Sequence, residues 1–273
     1  MNSRRHGSDR FAGRIEAMGK IRTLMLHAPG TNCDGETTFA FQQAGAAVDS
    51  VHINQLTRRE KQLADYQIMV IPGGFTYGDD IAAGKVLANE LKLKLGDDIR
   101  RFVEQGKLIL GICNGFQALV KAGILPHPST EGSSSLTLSS NDSGKFECRW
   151  VYLQANQESP CIFTKGIDRM YLPVAHAEGK VVTDPKVLPQ LNVALYYTDE
   201  QGNSDAGYPY NPNGSANNIA GICDASGRIF ALMPHPERHI RGSQHPRWTR
   251  QGAKKYGDGF QIFLNAVKWA QSL

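Results

Sequence analysis

From residue 21 to residue 122 the chain alternates short apolar runs with segments of helical period, and that alternation leaves few folds open. The runs are Ile21 to His27, Val48 to Ile53, Ile68 to Ile71 and Leu108 to Cys113. Glu36 to Gln43, two helical segments on either side of Gly96, and a stretch after Cys113 carry the helical pattern. Apolar runs bounded by turn residues suit strands buried on both faces, as in a parallel sheet covered by helices. The expected fold is α/β, with a mostly parallel central sheet flanked by helices. The texture changes from Ser133 onward. Leu136 to Ser139 and Phe146 to Leu153 read as additional antiparallel strands on or beside the sheet edge, and Asn192 to Tyr197 and Arg228 to Leu232 return as strands. Gly202 to Asn218 is rich in Gly, Asn, Ser and Pro and reads as a loop. A final helix runs through Phe260, Phe263, Leu264, Val267 and Trp269. Residues 21–273 are expected to form a single domain.

Cys113 stands where an apolar strand ends and an amphipathic helix begins, because Phe116, Leu119 and Val120 return at helical spacing. A sharp strand-to-helix turn exposes a nucleophile above the sheet, and Gly111 and Gly115 allow close packing on either side. The helix N-terminus favours a thiolate there. The alternative is a buried structural cysteine. Met233 to Glu237 supplies a base and a carboxylate: Ile229 to Leu232 reads as a buried strand, and Pro234 and Pro236 hold His235 at its end. In an extended segment His235 and Glu237 share a face, so the carboxylate can orient the ring. A cysteine–histidine–glutamate relay follows, with a turn histidine and a surface glutamate as the plainer alternative. After Ile68 to Ile71 comes Pro72 to Asp80, where Gly73 and Gly74 leave backbone N–H groups unobstructed. The N–H of Gly74 and that of Asn114 are the expected donors to a developing oxyanion; a plain tight turn is the alternative.

Pro72 to Asp79, Gly111 to Gln117 and Met233 to His239 resemble the signatures of class I glutamine amidotransferases. Ala28 to Asp34 and Ala175 to Gly179 narrow the resemblance to the family of glutaminase subunits of phosphoribosylformylglycinamidine synthase, over residues 20 to 270. The resemblance implies a flavodoxin-like core and hydrolysis of L-glutamine to L-glutamate and ammonia. Cys113, His235 and Glu237 would form the triad, Gly74 and Asn114 the oxyanion hole, Gln117 and Phe75 would lie beside glutamine, and His176 and Glu178 would support the site. It implies no cofactor and no metal in this chain. The ammonia would pass to a synthase subunit, joined by a small accessory subunit, which uses ATP and Mg to amidate formylglycinamide ribonucleotide in purine biosynthesis. ATP and nucleotide binding therefore belong to the partner. Released ammonia loses nucleophilicity once protonated, so the glutaminase should be shut when alone.

Ala177 departs from the family pattern, which has glycine there, and matters only if the backbone needs positive φ. His176 and Glu178 alternate like metal ligands, but two ligands are too few for zinc. Met1 to Lys20 holds five Lys or Arg residues and no apolar signal core, and is expected to be a mobile extension. Ile240 to Tyr256 carries Arg241, Arg247, Trp248, Arg250, Lys254 and Lys255. A partner interface or a cover over the catalytic end suits it better than nucleic acid, for which no motif is present. The net charge of +4 argues for neither nucleic acid nor an anionic membrane, and no apolar run is long enough to span a bilayer. Cys33, Cys113, Cys148, Cys161 and Cys223 are odd in number and dispersed, which suits a reduced, cytoplasmic protein. Cys33 also lies between a strand and a helix but lacks the glycine frame, and ranks far below Cys113 as nucleophile. The competing functions are a cysteine hydrolase of the same fold, peptidase or deglycase-like, and a catalytically silent interaction subunit. The His235–Glu237 pair and Gln117 favour the amidotransferase.

Overall fold

The computed structural model describes residues 21–126, 136–205, 207–252 and 254–273. The basic extension expected over residues 1–20 lies outside them. The strands are β1 (Arg22–His27), β2 (Ala47–His52), β3 (Ile68–Ile71), β4 (Leu108–Ile112), β5 (Leu136–Ser139), β6 (Glu147–Ala155), β7 (Arg169–His176), β8 (Lys180–Thr183), β9 (Asn192–Thr198), β10 (Ile219–Cys223) and β11 (Ile229–Leu232). The longer helices are α1 (Asp34–Gln43), α2 (Lys85–Glu104), α3 (Asn114–Lys121) and α4 (Phe260–Ala270).

Nine strands form one sheet in the order β2-β1-β3-β4-β11-β10-β9-β6-β7. The first five in that order are parallel, with β3 Met69 opposite β4 Ile109 and β4 Gly111 opposite β11 Ala231. The rest are antiparallel. β3, β4 and β11 are buried at every position, as their unbroken apolar runs require. Each fully buried Leu or Ile there contributes about 1.5–3 kcal/mol of transfer free energy. The chain leaves β1 towards β2 on one side and returns beyond β1 to β3 on the other. Right-handed crossovers in opposite directions put helices on both faces and open a crevice between the loops after β1 and β3. α1 and α4 pack through Phe41 and Phe263, whose rings meet edge to face at 5.1 Å.

One reading changes, and the antiparallel part of the fold is filled in. The helical segments flanking Gly96 are one helix, α2, whose buried stripe of Leu87, Leu91, Leu95, Ile99 and Phe102 runs straight past the glycine. Nothing lies within 4 Å of where a Gly96 Cβ would sit, so the glycine weakens the helix by about 1 kcal/mol without bending it. β5 does not join the main sheet but pairs with β8 in a separate antiparallel pair. The sheet is instead extended by β6 between β9 and β7, and β7, β8 and β10 are strands that alternation alone did not mark.

Candidate active site

The carboxyl ends of β1, β3, β4 and β11 deliver Cys33, Gly73–Thr76, Cys113 and His235 to one edge of the sheet. Cys113, one residue past β4, has φ +51° and ψ −103°, a conformation that a non-glycine residue holds only at a cost of order 1–3 kcal/mol. Its N–H donates to Leu232 O at 2.8 Å, pinning the turn to β11. Helix α3 then leaves across β3 so closely that a Cβ on Gly115 would lie 2.0 Å from Ile71 O. The sequence thus builds an elbow that presents Cys113 Sγ at a helix N-terminus, 3.7 Å from Ala175 O.

His235 is fixed by its own N–H, which donates to Pro173 O at 2.8 Å. Its Nδ1 lies 2.6 Å from Glu237 Oε1, and both residues are buried. They do not meet by sharing one face of an extended strand. Pro236 opens a single tight turn over Pro236–Arg238, and that turn folds Glu237 back onto the ring. Burial opposes a charge on His235, but the Glu237 carboxylate, Cys113 and Cys33 outweigh it and hold the imidazole well above its usual pKa. The arrangement favours a proton on the ring once Cys113 gives one up.

Gly74 has φ +153° and faces Thr31 across the crevice. The bridging bonds run from Asn32 N–H to Gly73 O and from Phe75 N–H to Gly30 O, leaving the Gly74 N–H outside the bridge. Asn114 opens α3, whose first N–H groups have no partner within the helix. The Asn114 side chain ties the two segments together. Its Oδ1 accepts from Thr76 N–H at 3.2 Å and the Thr76 hydroxyl at 2.6 Å, while Nδ2 donates to Asp79 Oδ1 at 3.0 Å and Gln117 Oε1 at 2.9 Å. Gln117 Nε2 donates to Glu178 O, so this side chain spans from α3 to the 176–179 turn. Phe75 is about half exposed. His176 and Glu178 do not meet: His176 Nδ1 bonds to Asn141 Oδ1 at 3.1 Å, and Glu178 Oε2 lies 3.8 Å from Lys121 Nζ. Ala177 has no positive φ, so the departure from glycine needs no strained backbone.

Asp79 and Asn141 are not singled out by sequence, and Cys33 only as a nucleophile ranked far below Cys113. The available signal for Cys33 was positional, since it follows β1 as Cys113 follows β4; the crevice between β1 and β3 brings it against His235.

Over residues 20–270 the chain matches the CobB/CobQ-like glutamine amidotransferase domain. The chain belongs to that family. This amidotransferase is 60% identical over 256 residues to phosphoribosylformylglycinamidine synthase subunit PurQ of Dehalococcoides mccartyi, covering 94% of this chain and 100% of the relative. It is 45% identical to the subunit of the same name from Methanococcus maripaludis, covering 91% and 97%. Its fold matches a chain in the structure of PurLQS from Thermotoga maritima with a TM-score of 0.71 and 32% identity, over 92% of the amidotransferase and 99% of that chain. That match is to a mixed sheet with mostly parallel central strands, flanked by helices. No helix among the described residues is long and apolar enough to cross a membrane.

Proposed function

We propose that this amidotransferase is the glutaminase subunit of phosphoribosylformylglycinamidine synthase. It hydrolyses L-glutamine to L-glutamate and supplies the ammonia to a synthase subunit that converts formylglycinamide ribonucleotide to formylglycinamidine ribonucleotide. The observation that carries the reading is the strained elbow at Cys113, placed on the strand next to the one that ends in the buried His235–Glu237 pair. His235 Nε2 takes the Cys113 proton as the sulfur attacks the side-chain carbonyl of glutamine. Charge passes to the carbonyl oxygen, met by the N–H groups of Gly74 and Asn114. The imidazolium returns its proton to the departing nitrogen, leaving a thioester and ammonia; water, activated by the same ring, then releases glutamate. Glu237 keeps the Nδ1 proton in place throughout. Gln117 and Phe75 flank the substrate, and His176 and Glu178 support the loop beside it. ATP and Mg act in the partner synthase subunit, a small accessory subunit completes the complex, and the site of action is the cytoplasm, where the five free cysteines stay reduced.

The test is glutamate release from glutamine by the wild-type protein and by Cys113→Ala, each with and without the cognate synthase complex. Release that depends on Cys113 and rises with the complex is the expected result. No release from the complete complex would return the chain to the cysteine-hydrolase or silent-subunit reading.

A further inference from the structure

Arg238 has no part in the chemistry above, yet it lies against the triad. Successive residues of an extended strand point to opposite faces, but the tight turn over Pro236–Arg238 keeps Arg238 beside Glu237. Its Nε lies 3.9 Å from Glu237 Oε1, the oxygen bonded to His235 Nδ1, and 3.4 Å from Glu36 Oε1 in the first turn of α1. Its Nη2 donates to Cys33 Sγ at 3.1 Å, and the Cys33 thiol donates to Asn32 Oδ1 at 3.1 Å. The Cys33 sulfur, a His235 ring nitrogen and a Glu237 oxygen lie within 4.8 Å of one another. Glu237 Oε2 is buried without a hydrogen-bond partner, so among the described residues Arg238 is the one cation besides His235 that pairs with this carboxylate.

We propose that Arg238 is a positioning residue for the triad: through Glu36 and Cys33 it clamps the turn carrying Glu237 to α1, and its charge weakens the hold of Glu237 on the His235 proton. A guanidinium stays protonated at any working pH, so that charge is fixed. The ring must take a proton from Cys113 and then pass it to the departing nitrogen, and a ring that binds it too tightly is a poor acid. Burial opposes a charge on His235, while Glu237 of the same turn, Cys113 of the elbow and Cys33 before α1 favour it. His176, at the end of β7, also faces the ring, but burial pushes it down to about 4 and it is uncharged at neutral pH. Arg238 and Glu36 are each 37% exposed, so water screens part of the effect. The kinetic consequence rests on the glutaminase reading; the action of Arg238 on the ring does not.

The test is the pH dependence of kcat/KM for glutamate release by the complete complex carrying Arg238→Gln, Arg238→Lys or Glu36→Gln, each first verified as folded by its circular dichroism. Removing a positive charge raises the proton affinity of its neighbours, so Arg238→Gln should move the acid limb up by about half a pH unit and lower kcat about tenfold, with KM nearly unchanged. Arg238→Lys keeps the charge but loses the planar fork, so its limb should stay with the wild type while kcat falls. Glu36→Gln removes a negative charge and should move the limb down. Histidine-ring NMR of the full chain, with the His235 signal assigned by its loss in His235→Asn, follows the same shifts without any turnover. A limb that stays in place in Arg238→Gln, or moves equally in Arg238→Lys, overturns the proposal. Should Arg238→Gln not fold, the sign of the Glu36→Gln shift decides. If the wild-type complex releases no glutamate, the glutaminase reading falls, and the ring titration alone then decides: an unshifted His235 signal in Arg238→Gln removes the role of Arg238 as well.

Discussion

His176 carries its proton on Nδ1, and the neighbouring asparagine shows why. Asn141 Nδ2 donates to Lys145 O at 2.9 Å and His176 O at 2.8 Å, so Asn141 Oδ1 is the acceptor, serving both Gly179 N–H and His176 Nδ1. His176 Nε2 is left bare, buried and without a partner. Burial, then the nearby His235, pushes the ring down to about 4. An unfolded histidine titrates near 6.5, so above that pH neither state carries the charge and nothing is lost. Between about 6.5 and 4 the unfolded chain takes a proton that the native chain refuses, and stability falls as pH falls through that window. At pH 4.5 the loss assigned to this residue is roughly 2–3 kcal/mol. Urea unfolding at pH 7 and pH 4.5 checks it. His176→Gln, which keeps a polar side chain of similar reach, should lose that much less stability over the interval than the wild-type protein. Equal losses would mean the ring is not the buried neutral group described.

At the scale of elements, the loop between β3 and α2 is strained along much of its length. Tyr77, Asp79 and Ile81 have φ of +56°, +53° and +74°, and Ile81, β-branched and 87% exposed, gains no burial in return. The Asn114 side chain ties the loop to α3 through Thr76 and Asp79, beside backbone bonds from Phe75 to Gly30 O and from Tyr77 to Pro29 O. Asn114→Ala removes the side-chain ties but keeps the backbone N–H, so the loop carrying Gly74 can drift from the nucleophile while the fold survives. The expected result is a fall in kcat for glutamate release of about 10²-fold, with KM changed much less, because donors are misplaced for the transition state rather than lost to the substrate. A change confined to KM would make Asn114 a substrate contact. This link was illegible in sequence. Asn114 was read only as an N–H donor, since spacing shows what sits at a helix start but not which loop comes back to meet its side chain. β3, β4 and β11 were legible because burial on both faces leaves an unbroken apolar run. β7 was not, because its outward positions Tyr171, Pro173 and Ala175 are not polar and hide the alternation of its buried face. The juxtaposition of Cys33 with His235 depends on strand order, and no local pattern encodes that order.

For the whole molecule, the decisive fact is that the three side chains of the proposed triad are buried. Cys113, His235 and Glu237 are 6%, 2% and 1% exposed, and Gln117, beside them, spends its amide on Asn114 and Glu178 O. Under the proposed function, glutamine has to reach a sulfur whose residue is only 6% exposed, and movement of the segments around it is expected to accompany binding. A docked synthase has reason to favour that movement, since ammonia released into water is protonated and lost to its reaction. Alkylation of Cys113 by a glutamine-like electrophile should therefore be slow in the chain alone and faster by at least about tenfold in the complex with substrate bound to the synthase. Peptide mapping of the alkylated thiol would measure it, with Cys33 and Cys148 as internal references for buried and exposed sulfur. Cys113→Ala should abolish glutamine-dependent synthesis by the complex yet leave ammonia-dependent synthesis intact, because only the source of nitrogen is lost. If both syntheses fail while the variant still assembles, the division of labour between the two chains is wrong. If Cys113 reacts equally fast alone and in complex, burial of the triad is not what couples them.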